Sequence, residues 1–351
     1  MKWLAACFAL LSISIAQAAD WYPIEVIGDG KRLAYKPLPA ANHAWRICAL
    51  LPHGKDRYWW GVSRGLAEEA KRQGAVVGIY QAGGYEHLGT QKAQLAECTR
   101  QGAQALILGA ISADGLNESI EAATMLDIPV IDLVNGVSSK LVASRSLVSF
   151  AEMARMAGKY IVDHTDKDTP IKVAWLPGPQ DAGWVQDGER GLKTAFEGRP
   201  ISLIHAGYGA TEISVQMGLL RRMVAKQGLP DYVIGNAVAI EAASRLFLQQ
   251  PNAPRLVAYY TTEAIVELIR NGKVMAAPTD SPVIQARIAI DLAVRTLQGE
   301  KVPTLVSPAI VVLDRQNINQ IDLSRLLPPP GQWMVLQALP PLDRNKENSL
   351  Q

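Results

Sequence analysis

The sequence predicts an α/β fold in which two doubly wound parallel-sheet lobes are joined by a hinge that the chain crosses three times. Short apolar runs alternate with amphipathic helical segments from residue 45 to beyond residue 300, the rhythm of parallel strands covered by helices on both faces. The strands are too many for one small sheet, and roughly 330 residues after a leader exceed one ordinary core. Turn-forming residues interrupt the alternation at places that suit interlobe crossings.

Taken in order, residues 1–18 hold Lys2, an apolar run over 3–15, and Ala16-Gln17-Ala18, the small-residue pattern before a signal-peptidase cut. The chain is therefore expected to be exported to the periplasm and cleaved after Ala18. The run is shorter than the roughly 20 residues that span a bilayer, and no later stretch is long and apolar enough, so no direct membrane insertion is expected. Residues 20–43 read as irregular. The first strand is expected at 45–51, followed by a helix over 59–73 whose Val62, Leu66 and Ala70 share one face. Further strands are expected at 75–80, 105–109, 128–134, 171–176, 201–206, 232–235, 256–260 and 274–277. An extended segment at 144–149 leads into a helix over 150–164 and marks the first crossing. Turn-rich stretches at 278–282 and 300–303 mark the second and third. On these boundaries the N-terminal lobe comprises 19–147 and 278–302, and the C-terminal lobe 148–277 and 303–330. The tail at 331–351, after Pro328-Pro329-Pro330, lacks periodicity and reads as partly disordered.

Lys and Arg number 35 against 33 Asp and Glu, a formal charge of +2 that falls by one when Lys2 leaves. That balance calls for no nucleic-acid partner and no anionic membrane surface. Cys7 departs with the leader, and the remaining Cys48 and Cys98 predict one disulfide in an oxidising compartment. It would close a loop of about 50 residues, worth up to about 4 kcal/mol. There is no Cys-x-x-Cys, Gly-x-Ser-x-Gly, His-Glu-x-x-His or phosphate loop, and Gly83-Gly84 is too short a glycine signal for a nucleotide site. His43, His53, His87, His164 and His205 lack metal-ligand spacing and read as surface or structural residues. No catalytic residue, metal or cofactor is expected.

The chain has 8 Trp, 10 Tyr and 4 Phe. Asp56-Arg57-Tyr58-Trp59-Trp60 sits where the first strand breaks into a loop and a helix, and Tyr85, Trp184, Tyr259 and Tyr260 follow other strands at the same kind of junction. Rings in such places line a cleft or fill the core beneath it. Several together predict an aromatic cage for a small ligand.

The aromatic loop, Ala157-Gly158-Lys159-Tyr160, Gly235-Asn236 before a helix, and Leu297-Gln298-Gly299-Glu300 occur in an order that resembles the type I periplasmic binding proteins of the ribose-binding, LacI-like class, over residues 45–313. Four segments are similar to one branch, the TorT-type co-sensors of trimethylamine N-oxide: Lys55-Asp56-Arg57-Tyr58-Trp59, Ala82-Gly83-Gly84-Tyr85, Leu133-Val134-Asn135 and Pro177-Gly178-Pro179. Cys48 and Cys98 match that branch as well. The resemblance implies a receptor for trimethylamine N-oxide or a related small amine. It also implies a partner, the periplasmic sensor domain of a TorS-type histidine kinase, through which N-oxide respiration is induced. The alternative is the solute-binding subunit of an ABC importer for a sugar or a small quaternary amine.

Sugar hydroxyls need charged acceptors and forked donors. This chain has Val134-Asn135 where the sugar binders hold an Asp-Arg pair, Gln186 where they place a further Arg, and Tyr260 where they put an acidic residue. By resemblance the cage walls fall on Trp59, Tyr85 and Tyr260, beside Tyr58, with Phe150 where the branch carries Trp. Phe150 keeps a ring face without the indole N–H, or belongs to the core. Trp184 lines the cleft or covers the start of its helix. Asp56 holds the positive end of the ligand or caps the first helix. The N-oxide oxygen needs a donor, for which Asn135 and Asn236 are the candidates. Three or four rings at about 0.5 to 2 kcal/mol each, less the cost of association, leave about 5 to 8 kcal/mol, a sub-millimolar to micromolar affinity.

Overall fold

Runs such as Ile47-Cys48-Ala49-Leu50-Leu51 and Ala105-Leu106-Ile107-Leu108 are buried throughout, as parallel strands covered on both faces must be. The computed structural model describes residues 21–342; the expected leader at 1–18 and the end of the tail, 343–351, lie outside the described residues. The first lobe opens with β1 (Ile24–Gly28) and β2 (Lys31–Tyr35), then alternates β3 (Arg46–Leu51), α1 (Tyr58–Gln73), β4 (Val76–Gln81), α2 (Leu88–Arg100), β5 (Ala105–Leu108), α3 (Asn117–Thr124), β6 (Val130–Leu133) and β7 (Ser144–Ser146). The second lobe runs α4 (Phe150–Asp163), β8 (Ile171–Leu176), α5 (Gly183–Phe196), β9 (Ile201–His205), α6 (Ile213–Gln227), β10 (Tyr232–Gly235), α7 (Ala237–Leu246), β11 (Arg255–Ala258), α8 (Glu263–Arg270) and β12 (Ala276–Thr279). The chain then returns through α9 (Pro282–Leu297) and β13 (Leu305–Pro308) and crosses again to β14 (Val311–Asp314).

The first sheet has the order β2-β1-β13-β7-β6-β5-β3-β4 and the second β14-β12-β11-β10-β8-β9. Pairing is parallel except at one edge of each, where β1 and β2 and, in the other sheet, β14 run antiparallel. The order reverses beside β3 in one lobe and β8 in the other, and ligands of open α/β sheets bind at such switch points beyond the carboxyl ends of the strands. Cys48 of β3 and Cys98 of α2 form the disulfide, with their Cα atoms 6.1 Å apart.

Two expectations need correction. Residues 20–43 are not irregular, because β1 and β2 form a hairpin about Asp29 and Gly30, both at positive φ, the two-residue turn that an Asp-Gly pair favours. The third crossing lies between Pro308 and Val311 and not at 300–303, which is only the loop from α9 into β13; β13 pairs with β7 and β1 in the first lobe. The described part of the tail packs on the first lobe: Val335 N–H donates to Ser63 Oγ (3.0 Å), Gln337 bridges Ile79, and Leu339 N–H donates to Tyr80 OH (2.8 Å).

Far from the cleft, α1 and α9 bury a polar network. Glu69 accepts from Trp21 Nε1 and Gln73 Nε2 (both 2.8 Å) and pairs with Arg72. Asp291 accepts from Tyr35 OH (2.6 Å), Leu38 N–H, Gln73 Nε2 and Arg295 Nε (each 2.8 Å). Both carboxylates are fully buried, and the network binds the N-terminal hairpin to the first lobe.

Candidate functional site

The loop after β3 delivers the first wall. Asp56 Oδ1 accepts the N–H of Tyr58 (3.0 Å) and its carbonyl accepts that of Trp59 (3.1 Å), so the carboxylate braces the first turn of α1. Trp60 Nε1 donates to Gly54 O (2.7 Å), closing the loop. Trp59 lies over Gly109 at the end of β5, where an added Cβ would stand 3.0 Å from the ring. Tyr85 follows β4, Val134 and Asn135 follow β6, and Tyr260 follows β11. Phe150 opens α4, whose first turn is capped by Ser149 Oγ accepting Glu152 N–H (3.1 Å). Trp184 sits at the start of α5 against Gly178, whose φ of 129° and missing side chain admit the indole; a Cβ there would meet it at 2.5 Å.

Asp56, Tyr58, Trp59, Tyr85, Val134, Asn135, Phe150, Trp184 and Tyr260, with Thr211, line a small cavity of about 20 Å³ between the lobes. All the expected ligand residues line it except Asn236. The rings meet mostly edge to face: Tyr58 is 5.4 Å from Trp59 and 5.5 Å from Tyr260, and Trp184 is 6.2 Å from both Tyr85 and Tyr260. Phe150 stands 6.0 Å from Trp184, so it is both a packed ring and part of the wall. Val134 is held at φ 67°, a costly conformation for a β-branched residue, where the backbone turns into the cavity.

Two carboxylates are buried here: Asp56 in the cavity wall, and Asp280, which does not line the cavity but holds Tyr58 of that wall. Asp56 Oδ2 accepts from Tyr260 OH (2.5 Å). Asp280, between β12 and α9, accepts from Tyr58 OH (2.5 Å) and Gln285 Nε2 (2.7 Å) on Oδ2, while its Oδ1 has no partner. Neither forms an ion pair among the described residues. Burial raises the pKa of Asp56 and lifts that of Asp280 to about 6; the hydrogen bonds they accept oppose this. Burial also drives the phenols of Tyr58, Tyr85 and Tyr260 upward, so all three stay protonated donors.

The donor assignment from sequence changes. Asn236 is fully buried away from the cavity, where its Oδ1 caps α7 by accepting Ala239 N–H (2.9 Å) and its Nδ2 donates to Leu176 O (3.2 Å). Gly235-Asn236 is thus a strand-to-helix cap. Asn135 lines the cavity, but its Nδ2 is committed to Ala110 O (2.6 Å) and Tyr85 OH (3.0 Å). Trp184 Nε1 also donates to Tyr85 OH (3.2 Å). With its oxygen accepting two bonds, the Tyr85 hydroxyl keeps its own proton for a guest. Sequence reading missed Thr211 and Asp280; the second lay inside the stretch read only as a crossing.

The lobes are closed on each other. Lys55 Nζ reaches Glu212 (2.7 Å), Arg57 reaches Glu263 (3.4 Å), and His53 Nε2 faces Thr211 Oγ1 (3.3 Å), each pair spanning the cleft. No helix among the described residues is long and apolar enough to cross a membrane, and no metal-ligating cluster occurs among them.

Residues 47–301 match the family described as periplasmic binding protein domain. The chain is 33% identical to the periplasmic protein TorT of Escherichia coli K12 over 291 residues, 83% of this chain and 84% of that one. Among solved structures, an ABC transporter solute-binding protein of Bradyrhizobium sp. BTAi1 with bound Bis-Tris aligns with TM-score 0.79 and 40% identity, over 91% of this chain and 100% of that one. TorT in complex with the TorS sensor domain, in the presence of TMAO, aligns with TM-score 0.75 and 28% identity, over 83% of this chain and 99% of that one. These relatives are binding proteins and not enzymes, and the likeness spans both lobes and the cleft between them. The chain accordingly belongs to the periplasmic binding protein family, as a TorT-type member.

Proposed function

We propose that the chain is an exported periplasmic receptor that takes trimethylamine N-oxide into the aromatic box and presents the outcome to the sensor domain of a TorS-type membrane histidine kinase. The observation that carries this reading is the set of rings around a buried carboxylate that has no cation of its own. A trimethylammonium group has a partly positive methyl surface and no N–H, so ring faces and an unpaired carboxylate suit it. The free proton of Tyr85 suits the N-oxide oxygen. Val134-Asn135 and Tyr260 stand where sugar-binding relatives of the same fold hold an Asp-Arg pair and an acidic residue, so the box lacks the forked donor and the further acidic acceptor that sugar hydroxyls need. Signalling requires the ligand to favour one lobe arrangement or complex over another.

Calorimetry of the mature protein with trimethylamine N-oxide, against glycine betaine, choline and ribose, tests the ligand. Saturable N-oxide binding, weakened at least tenfold by Trp59→Ala, is the expected result. Pull-down of a TorS-type sensor domain tests the partner, and failure with and without ligand sinks the sensor reading. A second reading has one observation in its favour: the 40% identical Bradyrhizobium protein is described as an ABC transporter component and was solved with an amine, Bis-Tris. Binding of betaine or choline alone would keep the box and move the chain to amine import.

A further inference from the structure

The loop that carries Asp56 also carries His53, only 2% exposed. Its Nδ1 accepts the backbone N–H groups of Lys55 (3.2 Å) and Asp56 (3.4 Å), which leaves the ring proton on Nε2. Nε2 then donates across the cleft to Thr211 Oγ1 at 3.3 Å, and Thr211 lines the ligand cavity. Tyr85 packs edge-on to the imidazole, with centroids 5.4 Å apart. Both ring nitrogens are therefore used, in the neutral tautomer, only when the lobes meet.

We propose that His53 is a clasp whose neutral form holds the cleft closed, so that proton uptake by this ring opposes closure and weakens ligand capture. The inference rests on the receptor reading above. An imidazolium would turn Nδ1 into a donor facing two backbone N–H groups and would bury a charge. Of the charged groups around the ring, Lys55 opposes protonation while Glu86 and Glu212 favour it; the Asp56 carboxylate is turned toward Tyr58 and Tyr260. Burial outweighs them and lowers the closed-cleft pKa from 6.5 to about 4. The closed form thus binds fewer protons than an open one. Its advantage is complete above pH 6.5 and is lost as pH falls from 6.5 toward 4, by about tenfold in affinity per pH unit.

Asp56, Asp280 and Glu241 are shifted upward and titrate with the opposite sign, so the test is a difference between proteins. Trimethylamine N-oxide is titrated into the wild type and His53→Asn at pH 7.5, 6.5 and 5.5; the amide oxygen keeps an acceptor for the two backbone N–H groups, and protonation of the ligand itself cancels in the ratio. The wild type is expected to lose about tenfold more affinity than the variant between pH 7.5 and 5.5. In nitrogen-15 NMR, the ring signal missing from His53→Asn is expected to report an Nε2-protonated tautomer titrating below about pH 5 in the liganded protein. Equal pH dependence in the two proteins, or a His53 ring titrating near 6.5 with and without ligand, overturns the proposal. If no heat appears at any pH, the ligand reading fails separately. Small-angle X-ray scattering of the ligand-free protein then decides: a cleft that opens between pH 7.5 and 5.5 in the wild type and not in His53→Asn keeps the clasp, and the same response in both removes it.

Discussion

Helices α1 and α9 are each preceded by a buried carboxylate at the cleft and carry a second one farther along, and the two levels are built differently. At the far end, Glu69 and Asp291 are met by Arg72 and Arg295 together with indole, amide and phenol donors. At the cleft end, Asp56 and Asp280 receive Tyr260, Tyr58 and Gln285 and no cation. A buried charge costs several kcal/mol unless it is paired, so each far carboxylate is matched by an arginine, whereas the cleft pair has no positive group. That shortage is what separates the proposed binding site from the polar core on the same two helices.

The contrast breaks most easily by mutation at the far end. Asp291→Ala leaves Tyr35 OH, Leu38 N–H and a Gln73 N–H without their acceptor, and urea unfolding is expected to show a loss of about 3 to 5 kcal/mol. N-oxide affinity should change little in the protein that remains folded. Asp56→Asn is the mirror experiment: stability should stay within about 1 kcal/mol, because the amide oxygen can keep the Tyr58 N–H while Nδ2 donates to the Tyr260 hydroxyl oxygen, while affinity falls tenfold or more. Equal destabilisation by the two would mean that Asp56 is a structural acid like Asp291.

A pH series sharpens the same point. The folded pKa of Asp280 is raised to about 6 from 3.8, so the native state binds more protons than the unfolded one between those values, and stability declines as pH rises through that window. Asp280→Asn should therefore be more stable than the wild type by about 1 to 3 kcal/mol at pH 7.5, with the gain shrinking through pH 6 and gone near pH 4. A gain independent of pH would assign the effect to packing.

Much of this was legible in the sequence, and the failures have physical causes. Strands 171–176 and 232–235 stood out because all their residues but Lys172 are buried, and their bounds agree with β8 and β10. The hairpin of β1 and β2 went unread because only Val26, Gly28 and Tyr35 are buried among polar residues such as Lys31 and Arg32, although Asp29-Gly30 is a turn signal. The aromatic walls were readable because Trp59, Tyr85, Phe150, Trp184 and Tyr260 lie at strand or helix ends. The donors were not, since only geometry shows that Asn236 is spent on capping α7 and that Asn135 is spent on Tyr85. A hydrogen-bond partner is a property of three dimensions that residue type does not carry.

Tyr85 supplies the smallest and most selective test. Its hydroxyl accepts from Asn135 and Trp184 and has one proton left to give. Tyr85→Phe keeps the ring face and removes that donor, so trimethylamine N-oxide should bind about five- to tenfold more weakly, in line with about 1 kcal/mol for one net hydrogen bond. Tetramethylammonium presents the same methyl surface without an oxygen and should change by less than about twofold. An equal loss for both would assign Tyr85 to shape and cation–π contact. An unchanged N-oxide affinity would instead mean that the freed N–H groups of Asn135 and Trp184 reach the oxygen themselves, which moves the donor by one hydrogen bond and leaves the uncompensated carboxylate as the feature that selects the ligand.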